Sequence, residues 1–188
     1  LAKSVSAAGS LRVMAALLGY PDARMRGYLH EMREILHGEC VLSATRQAEL
    51  DALLESLASA DPLETEANYV GLFDRGRSTS LHLFEHVHGD SRDRGPAMID
   101  LAQTYAKAGL YLAEGELPDF LPAVLEYLST RPAAEVREVL DDCVHILRAV
   151  GERLLDGGSP YAAAFAALLD LHGETPLVAG RSKVGAHR

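Results

Sequence analysis

Tryptophan is absent from this 188-residue chain, and aromatic residues make up only 6% of it. Large rings that anchor the cores of many β-sandwiches and barrels are therefore scarce, while Ala and Leu, both strong helix formers, are abundant. Cysteine is nearly missing too. Cys40 and Cys143 stand far apart with no paired spacing, which excludes a secreted disulfide framework and a zinc ribbon and leaves two reduced thiols. No apolar run approaches the roughly 20 residues of a membrane span. Residues 1–10 lack the charged-then-apolar layout of a signal peptide, so a cytoplasmic location is expected. No Gly-rich loop bridges a strand and a helix, no Gly-Lys-Ser/Thr occurs, and serine nucleophile motifs are missing. There is no run of alternating β-branched residues and no internal repeat.

A formal charge of −9 repels phosphate backbones, because nucleic-acid binding depends on Lys and Arg neutralising phosphates. A basic partner would be attracted instead. At this length one domain buries roughly 70% of its unfolded surface without staples.

What remains is helical periodicity. Residues 10–18 form a short apolar segment. Pro21 is placed to open a helix over 21–37, with Met25, Tyr28, Leu29, Met32, Ile35 and Leu36 on one face and Gly38 ending it. Ser43 can cap a third helix striped by Leu50, Leu53, Leu54 and Leu57. Asp61-Pro62-Leu63-Glu64 reads as a capping box with Pro at the first helical position, opening a helix that carries Tyr69, Val70, Leu72 and Phe73 to a break near Gly76. Residues 81–87 suit a short helix and 89–96 a charged connection. From Pro96 a helix is expected to bury Met98, Ile99, Leu101, Ala102, Tyr105 and Leu112, ending at the turn Gly115 to Asp119, where Asp119 can cap the helix after it. The clearest amphipathic pattern spans 132–156, with Val136, Val139, Leu140, Cys143, Ile146, Leu147, Val150 and Leu154 on one face, and is expected to lie centrally. Residues 161–171 give a last helix. The expectation is one all-α, single-domain bundle over 1–172 and a flexible basic tail over 173–188.

Three clusters bear on function. His82, His86, His88 and Asp90 include an i, i+4 histidine pair of the kind that ligates zinc, which would make the chain a metal-dependent hydrolase. Against that, His86 and His88 point apart on a helix and no second Glu-x-x-His pattern completes a set, so no metal site is assigned. Asp90-Ser91-Arg92-Asp93-Arg94-Gly95 packs opposite charges into one connection, as a solvated loop or a recognition loop would. Glu116-Leu117-Pro118-Asp119-Phe120 sets carboxylates beside apolar groups, a surface suited to a basic amphipathic segment.

Two of these stretches carry a resemblance. Tyr69-Val70-Gly71-Leu72-Phe73-Asp74-Arg75-Gly76-Arg77, Thr79-Ser80-Leu81, Leu83-Phe84-Glu85-His86-Val87-His88-Gly89 and Ser91-Arg92-Asp93-Arg94-Gly95 look like the signature of the NarJ family. Leu18-Gly19-Tyr20-Pro21 and Glu116-Leu117-Pro118-Asp119 extend the match in order over most of the chain. The resemblance implies a helical bundle of the TorD-like chaperone type and an assembly chaperone, not an enzyme. Its client would be the catalytic (alpha) subunit of respiratory nitrate reductase, bound through that subunit's N-terminal segment. Holding it would keep it competent for insertion of molybdenum guanine dinucleotide before membrane docking. No cofactor would be stably held by the chaperone. The rival of the same class is a chaperone for another molybdoenzyme exported with a twin-arginine leader. Client-binding residues implied are Tyr69, Phe73, Asp74, His86, His88, Arg92, Asp93, Arg94, Glu116, Pro118 and Asp119. Two positions depart from the family pattern: Phe120, where His is common, and His82, where an apolar residue is usual.

Overall fold

The structure is a computed structural model that describes residues 7–180. Among the described residues there are ten α-helices: α1 (Ala8–Leu18), α2 (Ala23–Gly27), α3 (Leu29–Glu39), α4 (Ala44–Ser59), α5 (Pro62–Tyr69), α6 (Leu83–Val87), α7 (Arg94–Lys107), α8 (Leu121–Leu128), α9 (Ala133–Asp156) and α10 (Ala162–His172). A π-turn, Val70–Asp74, continues α5, and a 3₁₀ turn, Arg77–Thr79, follows it. Extended pairing is confined, among the described residues, to one antiparallel bridge between His82 and Phe120.

Two of the most buried helices are almost wholly apolar, each with one exposed charge, Arg12 on α1 and Glu126 on α8. α1 buries Leu11, Val13, Met14, Leu17 and Leu18, and α8 buries every residue except Glu126. The two pack on each other, and α1 also meets α3 and α10. A helix without a polar face has nowhere to go but the middle, whereas an amphipathic one belongs at the edge. This corrects the expected central place of α9. Leu140, Cys143, Ile146, Leu147, Val150 and Leu154 are buried as anticipated, but its charged face looks outward while its apolar face packs on α10.

Side-chain caps from the residue just before the helix mark the starts of α2, α4 and α5. Ser43 accepts from the Arg46 N–H, and Asp61 accepts from the amides of Leu63 and Glu64 with Pro62 at the first turn. The expected single helix over 21–37 is two. Asp22 caps α2 by accepting from Met25 N–H, and the Tyr28 N–H turns back to the Met25 carbonyl. Gly38 does not end α3, which runs on to Glu39 and stops at Cys40 in the left-handed conformation. Tyr28 and Ile35 are exposed, not buried. The extra turn has a use: the Glu39 carboxylate accepts from the amides of Gly9 and Ser10 and from the Ser10 hydroxyl, each at 2.7 Å. It caps α1 from another helix, satisfying donors that its own sequence leaves free.

α7 departs most from its pattern. It starts at Arg94, not Pro96, and of its side chains only Tyr105 is fully buried. Ile99 is 59% exposed and Leu112 lies beyond the helix. Beyond α10, residues 174–180 have no regular secondary structure, and all but Leu177 are exposed. Leu177 packs against the core and Arg148 holds Glu174, Thr175 and Pro176. Residues 181–188, the rest of the expected tail, and residues 1–6 lie outside the described residues.

Candidate functional site

The signature stretches converge where the end of α5, α6, the start of α7 and the turn before α8 meet. An eight-residue helix ends in a π-turn, and such turns leave carbonyls out of register. Thr79 covers one of them, its hydroxyl donating to the Leu72 carbonyl. Tyr69 and Phe73 are thereby directed inward. Their rings lie 4.9 Å apart, with Phe73 5.2 Å from Tyr161 and Tyr69 5.6 Å from Tyr20. The Tyr69 hydroxyl donates to the Leu18 carbonyl at 2.8 Å. Both expected client-binding rings are thus part of the core, with Phe73 reaching the floor of a cleft.

The turn before α8 is tied to α6 by a two-residue ladder. Leu83 N–H donates to the Asp119 carbonyl at 3.0 Å, and Leu121 N–H to the Leu81 carbonyl at 2.8 Å. Inside that ladder the Asp119 side chain has no exposed surface. It accepts from Phe84 N–H at 3.1 Å and from His82 Nδ1 at 3.2 Å, with an Arg94 nitrogen 3.8 Å away. Asp119 therefore does not cap its own helix, as its sequence position suggests. It caps α6 across space, because α6 starts at His82 with no side-chain cap of its own. Pro118 is also buried, its carbonyl accepting from the Tyr105 hydroxyl at 2.8 Å. The hydrogen bond to Asp119 raises the His82 pKa above the ordinary imidazole value, with burial working against it.

The cleft in front of this knot has a volume of about 440 Å³ and is walled by Asp74, Arg75, Arg77, Ser80, His82 and Glu85. A smaller hollow beside it is lined by Gly89, Asp90 and Arg94. Arg77 lies 3.7 Å from Asp90, and Arg94 3.7 Å from Glu85. Both signs of charge meet here, so the cleft is mixed and not the acidic surface that net charge suggests. Arg92, Asp93 and Glu85 are exposed, as are the apolar Val87, Ile99 and Leu117 on the surrounding elements.

The histidines do not assemble. His82 turns to Asp119, His86 Nε2 donates to the Ser80 carbonyl at 2.9 Å, the His88 ring meets Phe84 edge-on, and Asp90 lies beside Arg77. Among the described residues no group of three or more His, Cys, Asp or Glu could hold one metal ion. Sequence reasoning missed the parts played by Tyr20, Tyr105 and Tyr161. Tyr105 stood only in an apolar stripe, and nothing local marks a hydroxyl whose partner lies on a turn 13 residues away. His82 and Phe120, the two departures from the family pattern, are bridge partners with ring centroids 5.3 Å apart.

A model of the nitrate reductase delta subunit family matches residues 41–167. The nitrate reductase molybdenum cofactor assembly chaperone NarJ of Escherichia coli (strain K12) is 46% identical over 161 residues, covering 86% of this chain and 68% of that protein. NarW of the same strain is 43% identical over 165 residues, 88% of this chain and 68% of its own. A solved structure described as a putative redox enzyme maturation protein of Archaeoglobus fulgidus superposes with a TM-score of 0.60 at 22% identity, over 86% of this chain and 90% of that one, which shows a shared fold. NarJ is named as an assembly chaperone and not as a catalyst. With more than half its length inside the family match and 46% identity to NarJ over the 161 aligned residues, the chain belongs to the nitrate reductase delta subunit family.

Proposed function

We propose that this chain is an assembly chaperone for respiratory nitrate reductase. It binds the catalytic subunit through its N-terminal segment while that subunit lacks cofactor, and keeps it open to molybdenum guanine dinucleotide in the cytoplasm before docking to the membrane partner. The cofactor is cargo for the client and is not stably held by the chaperone. The observation that carries this reading is the 46% identity to NarJ over 86% of the chain. Among the described residues no helix is long and apolar enough to cross a membrane.

The physical basis lies around the cleft. Asp74 and Glu85 of the cleft offer carboxylates to a cationic segment, Glu116 on the turn before α8 adds one from a separate hollow shared with Tyr105 and Leu110, and Val87, Ile99 and Leu117 are exposed apolar groups on α6, α7 and that turn. A segment that folds into an amphipathic helix on contact needs both. Buried Tyr69, Pro118 and Asp119 shape that surface from beneath, while Phe73 floors it. His86 and His88 are half-buried beside it, and Arg92, Asp93 and Arg94 border it. Release requires that the cofactor-loaded client present its segment less well, since only a difference in affinity between client states can drive dissociation.

In a strain lacking this protein, the catalytic subunit is expected to accumulate with little molybdenum and little nitrate reductase activity. Wild-type molybdenum content there would remove the assembly role. Calorimetry with a peptide copying the client's N-terminus is expected to show binding that weakens with salt and is reduced in Asp74→Ala and Glu116→Ala. No heat of binding at low or moderate salt would remove the segment from the reading, and preference for the leader of another molybdoenzyme would reassign the client.

A further inference from the structure

Between the end of α7 and the turn before α8 the chain makes a loop framed by two glycines in the left-handed region, Gly109 at φ 76° and Gly115 at φ 84°, a conformation that other residues rarely adopt. Hydrogen bonds close both ends. Leu110 N–H donates to the Tyr105 carbonyl at 3.0 Å, and Glu116 N–H to the Ala113 carbonyl at 3.1 Å. The backbone therefore sets which side chains turn inward. Leu110 and Leu112 pack partly buried against the core, while Tyr111 between them is 84% exposed, the most exposed large apolar side chain among the described residues.

The loop shares with α7 and α8 a hollow of about 50 Å³. Tyr105, Tyr111 and Tyr127 line it together with Glu116 and Glu126, and the rest of the lining is apolar. Among the described residues no Lys, Arg or His lines it. Its two carboxylates are little used within the fold. Glu116 accepts from the Ala113 amide at 3.3 Å, and Glu126, the exposed residue of α8, has no side-chain partner among the described residues. Tyr127 already shows what such a ring attracts, since Arg131 Cζ lies 5.3 Å from its centre, approaching from outside the hollow.

We propose that this hollow binds one arginine side chain presented by a polypeptide partner. Ring faces and carboxylates both favour a cation, and a flat guanidinium lies on a ring while its N–H groups reach carboxylates at its edge. The small volume admits one side-chain head and excludes a helix or a nucleotide. An incoming guanidinium has no internal cation to displace, so its attraction to Glu116 and Glu126 is not offset by a broken pair. That the arginine belongs to the client's N-terminal segment rests on the assembly reading above. On that reading the segment is held at two places, by this hollow and by Asp74 and Glu85 of the cleft.

The test uses the full chain with ring-labelled tyrosine, followed by NMR, and a capped arginine amide as probe against the capped citrulline amide, which has nearly the same shape and no charge. The sequence holds seven tyrosines, few enough to follow each ring. Arginine is expected to shift the Tyr111 and Tyr127 signals saturably and to leave Tyr28, exposed elsewhere on the surface, unmoved, while citrulline moves none of them. Tyr111→Ala and Glu126→Gln alter exposed side chains and leave the core intact. Each is expected to weaken binding about threefold, read at Tyr127, and the two together about tenfold. Shifts that fail to saturate, that citrulline reproduces, or that both variants leave unchanged overturn the proposal. A second arm measures by calorimetry a peptide copying the client's N-terminus. Equal affinity of that peptide for wild type and both variants overturns the assignment of the arginine to the client and leaves the assembly reading intact. Absence of peptide binding, with the arginine probe still held, supports the hollow as a site and removes the N-terminal segment from the assembly reading.

Discussion

His82 Nδ1 lies 3.2 Å from an oxygen of Asp119, joining a half-exposed imidazole to a carboxylate with no exposed surface. This contact closes the ladder between α6 and the turn before α8, and the backbone of both elements passes through it. A carboxylate can only accept, so Nδ1 carries the proton in this pair. The other Asp119 oxygen takes the Phe84 amide and faces Arg94.

Asp119→Ala is expected to lower stability by about 2–4 kcal/mol, because it strands the Phe84 amide and removes both the acceptor of His82 Nδ1–H and the carboxylate facing Arg94. The half-exposed state of His82 and Arg94 keeps the loss below that of a fully buried pair. Asp119→Asn, which preserves an acceptor for Phe84, should lose less. Urea titration decides it: a change under about 0.5 kcal/mol in the Ala variant, typical of surface sites, would show that the carboxylate is not tied in. A loss of client binding in Asp119→Ala therefore says nothing about contact unless folding is measured beside it.

The same pair gives a pH dependence with a definite sign. His82 has a raised pKa in the folded chain, from the Asp119 hydrogen bond first and the charges of Asp119 and Glu85 after it, with burial and Arg94 opposing. A group that binds its proton more tightly when folded stabilises fully below its unfolded pKa, near 6.5, and loses that contribution as pH rises through the folded value. The stability difference between wild type and His82→Gln, measured by denaturation from about pH 5 to about pH 9, is expected to shrink as pH rises. A difference that is flat, or that grows with pH, would contradict the assignment.

Most helices and caps were legible because they are local. Ser43, Asp61 and Pro62 act within one turn of themselves, and the apolar face of α9 repeats every three or four residues. The misreadings arose where a partner came from elsewhere in the chain. Glu39 serves α1 and Asp119 serves α6, each across about 30 residues or more, and no spacing rule shows a cap supplied in that way. Periodicity also misleads about depth. The stripe on α7 looks as good as that on α4, yet Ile99 is exposed and Leu53 is fully buried, because a stripe states which face is apolar and not whether anything covers it. For the site, the family resemblance indicated the region where the signature stretches meet. It could not separate side chains that face outward, such as Asp74 and Arg92, from Tyr69 and Asp119, which hold the region together from inside.

Tyr161 presents a different test. Its hydroxyl is buried without a hydrogen-bond partner among the described residues, packed against Phe73 and Tyr69, and burial pushes its pKa up to about 12. An unpaired buried hydroxyl costs about 1–3 kcal/mol of desolvation. Tyr161→Phe keeps the ring contacts and removes that cost, so a rise in the thermal midpoint is expected. A fall equivalent to about 1 kcal/mol or more would mean that the hydroxyl is satisfied, for example by an ordered water.

Core and surface predictions separate most sharply between Leu125, Leu140 and Ile99. Leu125 on α8 and Leu140 on α9 are buried, and replacing either with Ala removes packed methyl groups whose space the neighbours cannot refill, at a cost of about 2–5 kcal/mol. Ile99 carries the same kind of side chain in an equally regular stripe, but at 59% exposure it has little to lose on folding. Ile99→Ser should change stability by less than about 0.5 kcal/mol. If α7 contributes apolar surface to client binding, the same substitution should weaken association with the N-terminal segment of the catalytic subunit, since that surface is buried only in the complex. Denaturation and calorimetry on one variant then distinguish the cases. Lost stability would place Ile99 in the core, contrary to its exposure, while unchanged stability with unchanged affinity would remove this face of α7 from the client site.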